Sequence, residues 1–367
     1  MRVWTPWLAS PRLPLPLPGP QLQRRAFAAG ALLAMPAIAK GVARDVTIAG
    51  PDGWFASYFD AAILASFRKA HPDIRVRYDP AGNAFQLLTL LRGQRANPSV
   101  DVVLMEAGVA ARATAEGLFD PLTRDTMPVM KDLIPQAILP AVAGPAMILD
   151  SLALGYDPAQ VSKVPRSWRN LWDTAYGRRI ALQTPPDPLG LAITAVAAAL
   201  FGSGTPRNSL DIAMNALTQL APRVVLWDPV PDIYTAIVAG DADIGPCWNA
   251  RAQSPAAQTR GRFAAETPSE GSPFLATTVN LVKHSAQTDA AQALIAWLLG
   301  TQAQRLLTES MFFAPVNARA DIPTASLARA GATPEMADRR MEMDWVAVTA
   351  IRDQITAAWR ARKLASH

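Results

Sequence analysis

Carboxylate, tryptophan and asparagine side chains follow the ends of several predicted strands in this chain. The residues of this set are Asp52, Trp54, Glu106, Asp187, Asp228, Trp248 and Asn249. Carboxylates can neutralise the charged end of a small cation, and an aromatic face attracts a desolvated cation by about 2 kcal/mol. We therefore predict that these residues bind a small molecule, and a cation is one candidate for it.

Four of the acidic residues also have an ordinary structural interpretation. Asp52 stands in Pro-Asp-Gly and Asp187 in Pro-Pro-Asp-Pro, and both contexts are typical of turns. Glu106 can cap the helix that follows it, because an anion at a helix N-terminus interacts favourably with the helix dipole. Asp228 precedes a proline and can simply be solvated. The sequence leaves both interpretations open for each of the four.

Cys247 is the only cysteine, which excludes an internal disulfide and a site built from several cysteines. A thiolate nucleophile needs a base or a cation beside it. The histidines, His71, His284 and His367, all fall outside the strand-end segments. We expect a buried thiol, and an enzyme with Cys247 as its nucleophile is an alternative. We predict no metal, since one cysteine and three histidines far apart in sequence provide no cluster of ligands. We predict no cofactor, since the chain has neither a P-loop nor a dinucleotide-binding fingerprint.

Short apolar segments alternate with helical patterns from Val46 onward. Strands are predicted at 46–49, 74–78 and 100–105, and helices at 59–67, 87–91 and 107–116. Phe59, Ile63 and Phe67 recur at four-residue spacing, which places them on one helix face. Gly117 is suited to end the third helix. This order predicts an α/β fold with a mostly parallel sheet covered on both faces.

The same pattern begins again in the second half of the chain. Strands are predicted at 179–182, 224–226 and 243–244, and helices at 191–200 and 232–239. The length of 367 residues suits two such lobes, each with its own core, and the chain crosses between them near 144–155. Sheets of this kind bind ligands beyond the carboxyl ends of their strands. The segments at those ends are 50–54, 105–108, 183–190, 227–232 and 246–249.

The formal net charge of +5 originates in the N-terminal segment. Six basic residues and no acidic one precede Asp45, which leaves 29 basic against 30 acidic residues in the rest of the chain. Binding to the phosphates of a nucleic acid requires an excess of basic side chains. We therefore predict that nucleic acid is not a partner.

An export signal is predicted at residues 24–39. The pair Arg24-Arg25 precedes a short apolar run at 26–34 and an Ala-x-Ala ending at 37–39. These three parts are typical of a cleavable signal peptide, and the paired arginines resemble a twin-arginine signal. The apolar run is about half as long as a bilayer span. The proline-rich stretch before it is predicted to be disordered. A merely basic N-terminus of a cytoplasmic protein is the alternative.

Eight short motifs, in order along the chain, resemble bacterial family 1 extracellular solute-binding proteins. They are DVVL at 101–104, AEGLFDPL at 115–122, PRSWRNLW at 165–172, VAGDADIG at 238–245, WN at 248–249, PSEG at 268–271, a helix at 290–304 and APVN at 314–317. WN and PSEG are most similar to the branch that binds spermidine and putrescine. The resemblance extends from about Val46 to the C-terminus.

The resemblance implies two α/β lobes of the periplasmic-binding-protein type (type II-like), joined by a hinge that closes around ligand. Residues 1–43 would be the disordered start and the signal peptide. Lobe one would comprise 44–148 and 276–318, and lobe two 149–275 and 319–367. The closed form would dock on the inner-membrane permease of an ABC importer.

The resemblance leaves the ligand open. In the polyamine-binding branch an aromatic and an acidic residue after the PSEG-like motif hold amine groups, whereas Leu275 and Thr277 stand here. A diamine that lacks a buried carboxylate partner loses several kcal/mol. The iron-binding branch uses two neighbouring tyrosines, and none of the five tyrosines here is adjacent to another.

These observations predict an exported, monomeric, non-enzymatic solute-binding protein of the periplasm that delivers a small solute to an ABC permease. A polyamine such as spermidine or putrescine is one candidate solute. Besides the Cys247 enzyme, the remaining alternative is a ligand-sensing domain with the same two-lobe fold.

Overall fold

The computed structural model describes residues 44–176, 179–202, 206–228, 230, 232–259, 261–362 and 364. The predicted signal peptide and proline-rich start at 1–43 lie outside the described residues, as does His367. The export prediction is therefore not tested by the fold.

Ten strands form one sheet within the described residues. They are β1 (Arg44–Gly50), β2 (Ile74–Pro80), β3 (Val102–Glu106), β4 (Phe119–Asp120), β5 (Ala146–Tyr156), β6 (Ile180–Ala181), β7 (Val224–Leu226), β8 (Ile244–Trp248), β9 (Ala264–Glu266) and β10 (Phe274–Val282). Their order is β2-β1-β3-β10-β5-β8-β6-β7, with β4 beside β10 and β9 beside β5.

The sheet is parallel at its two ends and antiparallel in its middle. β1 pairs in parallel with β2 and β3, and β6 pairs in parallel with β7 and β8. β10 runs antiparallel to β3 and β5, and β5 runs antiparallel to β8. The prediction of a mostly parallel sheet is therefore correct for each end. It does not hold in the middle, because β5 and β10 connect the two halves and are antiparallel to their neighbours.

Helices cover the sheet on both faces. They are α1 (Gly53–Tyr58), α2 (Ala65–Ala70), α3 (Ala84–Gly93), α4 (Ala107–Ala115), α5 (Pro188–Phe201), α6 (Pro206–Leu220), α7 (Ile233–Ala239), α8 (Asn249–Gln258), α9 (Thr288–Leu299), α10 (Thr301–Met311), α11 (Thr324–Arg329), α12 (Pro334–Asp338), α13 (Trp345–Ala350) and α14 (Arg352–Ala361). A π-helical turn, Phe59–Leu64, joins α1 to α2. Short 3-10 helices lie at Pro128–Asp132, Pro135–Ala137, Trp168–Leu171, Thr174–Tyr176 and Ala221–Arg223.

Local sequence explains where several helices begin, end and face. Phe59, Ile63 and Phe67 are fully buried, as their four-residue spacing predicted. Gly117 has a φ of 68°, the left-handed conformation that glycine adopts freely after a helix. The side chain of Asp232 accepts a hydrogen bond from the Thr235 amide and begins α7.

Separate hydrophobic cores identify two lobes. Ala146 and Leu149 on β5 pack in the core that β1, β3 and β10 share, whereas Leu152 and Tyr156 pack in the core around α5 and α7. Strand β5 therefore passes from one lobe to the other between Leu149 and Leu152. The finer lobe boundaries remain a prediction.

The C-terminal helices contact both lobes. Helix α13 packs against α4 of the first lobe, and α14 packs against α5 and α6 of the second. Trp359 on α14 is buried and donates a hydrogen bond from Nε1 to Thr194 Oγ1 on α5, with a distance of 2.9 Å. This bond fixes α14 to the second lobe, so α13 extends from that lobe onto the first.

Candidate ligand-binding site

A cavity of about 370 Å³ lies where the segments after β3 and β6 meet. Its volume is near the lower end of the range of small-molecule sites. The first lobe contributes Glu106 and the start of α4, and the second contributes the segment from Thr184 to Leu191. The C-terminal helices supply Trp345, Thr349 and Arg352. The cavity is thus an inter-lobe cleft at strand carboxyl ends, where the fold type places ligands.

Glu106 is the last residue of β3 and projects into the cavity. It occupies the N-cap position of α4, but its side chain makes no capping hydrogen bond. Burial raises the pKa of Glu106 to about 7, and the charge of Asp187 contributes to the rise, whereas Arg352 acts in the opposite direction. A carboxyl group whose pKa is raised by burial favours a cationic partner, because the partner compensates for the hydration that the charged form has lost.

Asp187 approaches the same cavity from the second lobe. Its side chain accepts a hydrogen bond of 2.8 Å from the Leu189 amide and so caps α5. Burial raises the pKa of Asp187 to about 6, and the bond from Leu189 partly offsets that rise. The structural and ligand-binding interpretations of Asp187 are therefore compatible, since one carboxylate oxygen can cap the helix while the group lines the cavity.

Arg352 supplies a positive charge to the cavity and was not predicted as a site residue. Its guanidinium carbon lies 3.7 Å from the centroid of the Phe85 ring on α3, a cation–π contact between the lobes. The Nε atom is buried and has no hydrogen-bond partner among the described residues. A planar guanidinium in this position can bind a carboxylate through two parallel hydrogen bonds.

Gly108 allows α13 to close one side of the cavity. A Cβ atom at this position would lie 1.9 Å from Thr349 Oγ1 and 2.6 Å from the Trp345 carbonyl oxygen. Any side chain at Gly108 would therefore push α13 away from α4. The absence of a side chain at Gly108 is therefore what allows α13 to lie this close to α4.

Asp52 and Trp54, which follow β1, lie outside the lining of this cavity. Asp52 is exposed at the start of α1. Trp54 lies 5.3 Å from Tyr58 by ring centroids, and the Arg251 guanidinium of the second lobe lies 6.0 Å from its ring. Trp54 Nε1 is buried and has no hydrogen-bond partner in the described part of the chain. The structure thus places Trp54 at an inter-lobe contact and Asp52 at the surface.

Trp248 and Asn249 end β8 and begin α8. The Trp248 ring centroid lies 6.2 Å from that of Trp345, which lines the cavity. Asn249 donates from Nδ2 to the Arg329 carbonyl oxygen at 2.8 Å and accepts from Gln253 at 3.0 Å. Trp248 is therefore adjacent to the site, whereas the amide of Asn249 is occupied by protein contacts. Asp228 is exposed and does not line the cavity.

Asp150 is a half-buried acidic residue that was not predicted from the sequence. It lies on β5 at the crossing between the lobes and accepts a hydrogen bond of 3.0 Å from the Ala250 amide. Burial raises the pKa of Asp150 to about 7, although the Ala250 and Ser151 amides act in the opposite direction. A single carboxylate within the apolar run from Ala146 to Leu154 was the signal that could have identified it.

A wider cavity of about 860 Å³ lies on the opposite face of β10. Side chains alternate along a strand, so Leu275 lines the smaller cavity while Phe274 and Ala276 line this one. The Arg340 guanidinium lies 4.8 Å from the Phe274 ring, and Asp344 uses its carboxylate to cap α13. None of the seven predicted site residues lines this second cavity.

Cys247 does not have the environment of a nucleophile. The thiol is fully buried, and burial raises its pKa, with the charge of Asp150 contributing to the rise. A thiolate is therefore disfavoured. His71 stacks on Phe67 with centroids 4.6 Å apart, and neither His71 nor His284 lines the cleft.

The described residues contain neither a cluster of metal ligands nor a helix that could span a membrane. No group of three or more His, Cys, Asp or Glu side chains there could hold a metal ion. None of the helices in that part of the chain has the length and apolar composition needed to cross a membrane.

Comparison with known families and proteins gives two matches in sequence. The family model described as bacterial extracellular solute-binding protein matches residues 62–335. A gamma-aminobutyric acid-binding protein of Pseudomonas aeruginosa is 25% identical over 225 residues, which are 60% of this chain. The alignment spans 62% of that protein, less than two thirds of its length.

Solved structures share the fold. The Atu4243 GABA receptor has a TM-score of 0.72 and 21% identity, and the match covers 88% of this chain and 99% of that one. The spermidine/putrescine ABC transporter substrate-binding protein PotD of Streptococcus pneumoniae has a TM-score of 0.71 and 16% identity, with the same coverage of 88% and 99%. At these identities the likeness concerns the fold, and it confirms the predicted two-lobe periplasmic-binding-protein architecture.

Proposed function

Because the chain belongs to the bacterial extracellular solute-binding protein family, we propose that it is the solute-binding component of an ABC importer and that its solute is a small molecule with an amine group. One observation carries the choice of solute. Glu106 of the first lobe and Asp187 of the second line the same cavity, and the pKa of each is raised, to about 7 and about 6.

The two carboxylates give an amine a means to close the cleft. Without ligand, two ionised carboxylates repel each other and oppose the approach of the lobes. An ammonium group between them replaces this repulsion with two attractions, one to each lobe. A ligand shifts a conformational equilibrium by its difference in affinity for the two states, and here that difference arises only when both lobes contact it.

Known relatives are consistent with an amine. The names of two proteins similar to this chain refer to gamma-aminobutyric acid and to spermidine or putrescine, and all three compounds carry amines. A polyamine thus remains one candidate. Leu275 lines the cavity, and it stands where the polyamine-binding branch has an aromatic residue.

The proposed partner is an inner-membrane ABC permease, and the proposed compartment is the periplasm. We propose that the protein acts as a monomer, because one chain supplies both lobes and α13. Export by the twin-arginine route is proposed from Arg24 and Arg25 alone, which lie outside the described residues.

Calorimetric titration of the purified full-length protein tests the function. We expect 4-aminobutanoate or 1,4-diaminobutane to bind with micromolar or tighter affinity and a neutral sugar not to bind. Glu106→Gln and Asp187→Asn should each weaken the amine by on the order of 10-fold or more, because each removes one charge-assisted contact.

Asp321→Asn is the matched control, since Asp321 is exposed and outside the cavity lining. This variant should bind as the unmodified protein does. Failure of every amine to bind the folded protein would contradict the proposal. Equal affinities for the unmodified protein and both cavity variants would do so as well.

A further inference from the structure

Arg352 shares the cavity with two carboxylates but pairs with neither. Among the described residues its ion-pair partner is Asp353, whose side chain is fully exposed, and the two atoms are 4.0 Å apart. The side chain of Arg352 is only 22% exposed. A buried charge without a close partner is costly unless a ligand compensates it. The cavity therefore holds separated positive and negative groups with space between them.

The guanidinium is held in place from both sides. Arg352 is the first residue of α14, which Trp359 and the fully buried Ile355 fix to the second lobe. The ring of Phe85 supports the guanidinium face from the first lobe. A charged group that is positioned before the ligand arrives loses less conformational entropy on binding.

We infer that Arg352 binds the carboxylate of the solute and thereby selects a short amino acid, with its amine at Glu106 and Asp187, over a diamine. This inference rests on the proposed function, because it assumes that an amine occupies the carboxylate end of the cavity. It assigns a specificity role to a C-terminal residue that lies outside all eight sequence motifs.

The arrangement discriminates through repulsion as well as attraction. A diamine of similar length would direct its second ammonium at the guanidinium, and two like charges in a desolvated cleft repel. An amino acid presents a carboxylate there instead. Specificity that combines a favourable contact for one solute with a repulsive one for its rival is stronger than either contact alone.

The test compares 4-aminobutanoate with 1,4-diaminobutane, which share a four-carbon chain and differ in the group at one end. Calorimetry should give the unmodified protein an affinity for 4-aminobutanoate at least about 10-fold above that for the diamine. Arg352→Gln should lose on the order of 10- to 100-fold for 4-aminobutanoate. Its affinity for the diamine should stay the same or increase, so that the preference reverses. Arg352→Lys, which keeps the charge, should retain the original order.

Arg329→Gln is the matched control. The Arg329 guanidinium lies 4.0 Å from the Phe312 ring, so it makes the same kind of contact, but it does not line the cavity. This variant should keep both affinities. A protein that binds the diamine as tightly as 4-aminobutanoate would overturn the inference and leave the proposed function intact. Binding of neither compound would overturn both.

Discussion

Lowering the pH from 8 to 6 should weaken the binding of an amine-bearing solute. The change acts on the protein, because an aliphatic ammonium stays protonated throughout this range. Glu106 and Asp187 must be ionised to attract it, and their pKa values of about 7 and about 6 place their titration between these limits. The expected direction is therefore a loss of affinity as protons occupy the two carboxylates.

The size of the loss follows from the two pKa values. With a pKa of about 7, the ionised fraction of Glu106 falls from about 0.9 to about 0.1 between pH 8 and pH 6, a factor of about ten. With a pKa of about 6, Asp187 falls from nearly full ionisation to about one half, a factor of about two. The combined effect is about 20-fold, or about 1.8 kcal/mol.

Calorimetric titration at several pH values in buffers of different ionisation enthalpy measures both the affinity and the protons released on binding. Proton release near pH 7 should accompany binding, since the bound ammonium favours the ionised carboxylates. In Glu106→Gln the affinity should fall by a factor of only about two between pH 8 and pH 6, because the factor of about ten from Glu106 is lost and that of Asp187 is left. An affinity that is constant from pH 8 to pH 6, or one that rises on acidification, would refute the electrostatic reasoning.

Two further changes probe the closure contact and the crossing strand. Gly108→Ala should reduce solute affinity by on the order of 10-fold, because overpacking at the α4–α13 contact costs about 1–3 kcal/mol. Gly93→Ala is the control, since a Cβ atom added there meets no atom within 4 Å. This variant should bind the solute normally in the same titration. Equal affinities for both variants would contradict the role of α13 in closure. In Asp150→Asn, chemical denaturation should show a flatter dependence of unfolding free energy on pH. Burial raises the pKa of Asp150 to about 7, so the folded state favours the protonated carboxyl group. The free energy of unfolding of the unmodified protein should therefore fall by at most about 4 kcal/mol as the pH rises from the ordinary pKa of an aspartate to about 7. Parallel pH profiles for the two proteins would show that Asp150 is not responsible.

Periodicity in the sequence was sufficient to predict the elements that carry a regular pattern. Phe59, Ile63 and Phe67 are buried as predicted, and the strand at Val224–Leu226 has the predicted limits. The antiparallel direction of β5 and β10 was not predicted, because strand direction depends on how distant segments meet. A run such as Ala146–Tyr156 shows that a strand is buried but not which neighbours it pairs with.

The candidate site could be predicted only where it follows strand ends. Glu106 and Asp187 were identified by the rule that ligands bind beyond the carboxyl ends of strands, and both line the cavity. Arg352 and Trp345 reach the cavity from helices near the C-terminus, and Phe85 reaches it from the start of α3. No local pattern marks these residues, since their position depends on how α13 and α14 pack across both lobes.

The placement of β10 determines when the first lobe can be completed during synthesis. Thr278 on β10 bonds to Met105 on β3, which precedes it by 173 residues, and Ser285 bonds to Asp101 across 184 residues. Until the ribosome has translated the chain past β10, at about three quarters of its length, the N-terminal half has no partner for the open edge of β3. Contacts over such separations form slowly, and an unpaired strand edge invites association with other chains. The nascent chain therefore exposes an unpaired strand edge during most of its translation.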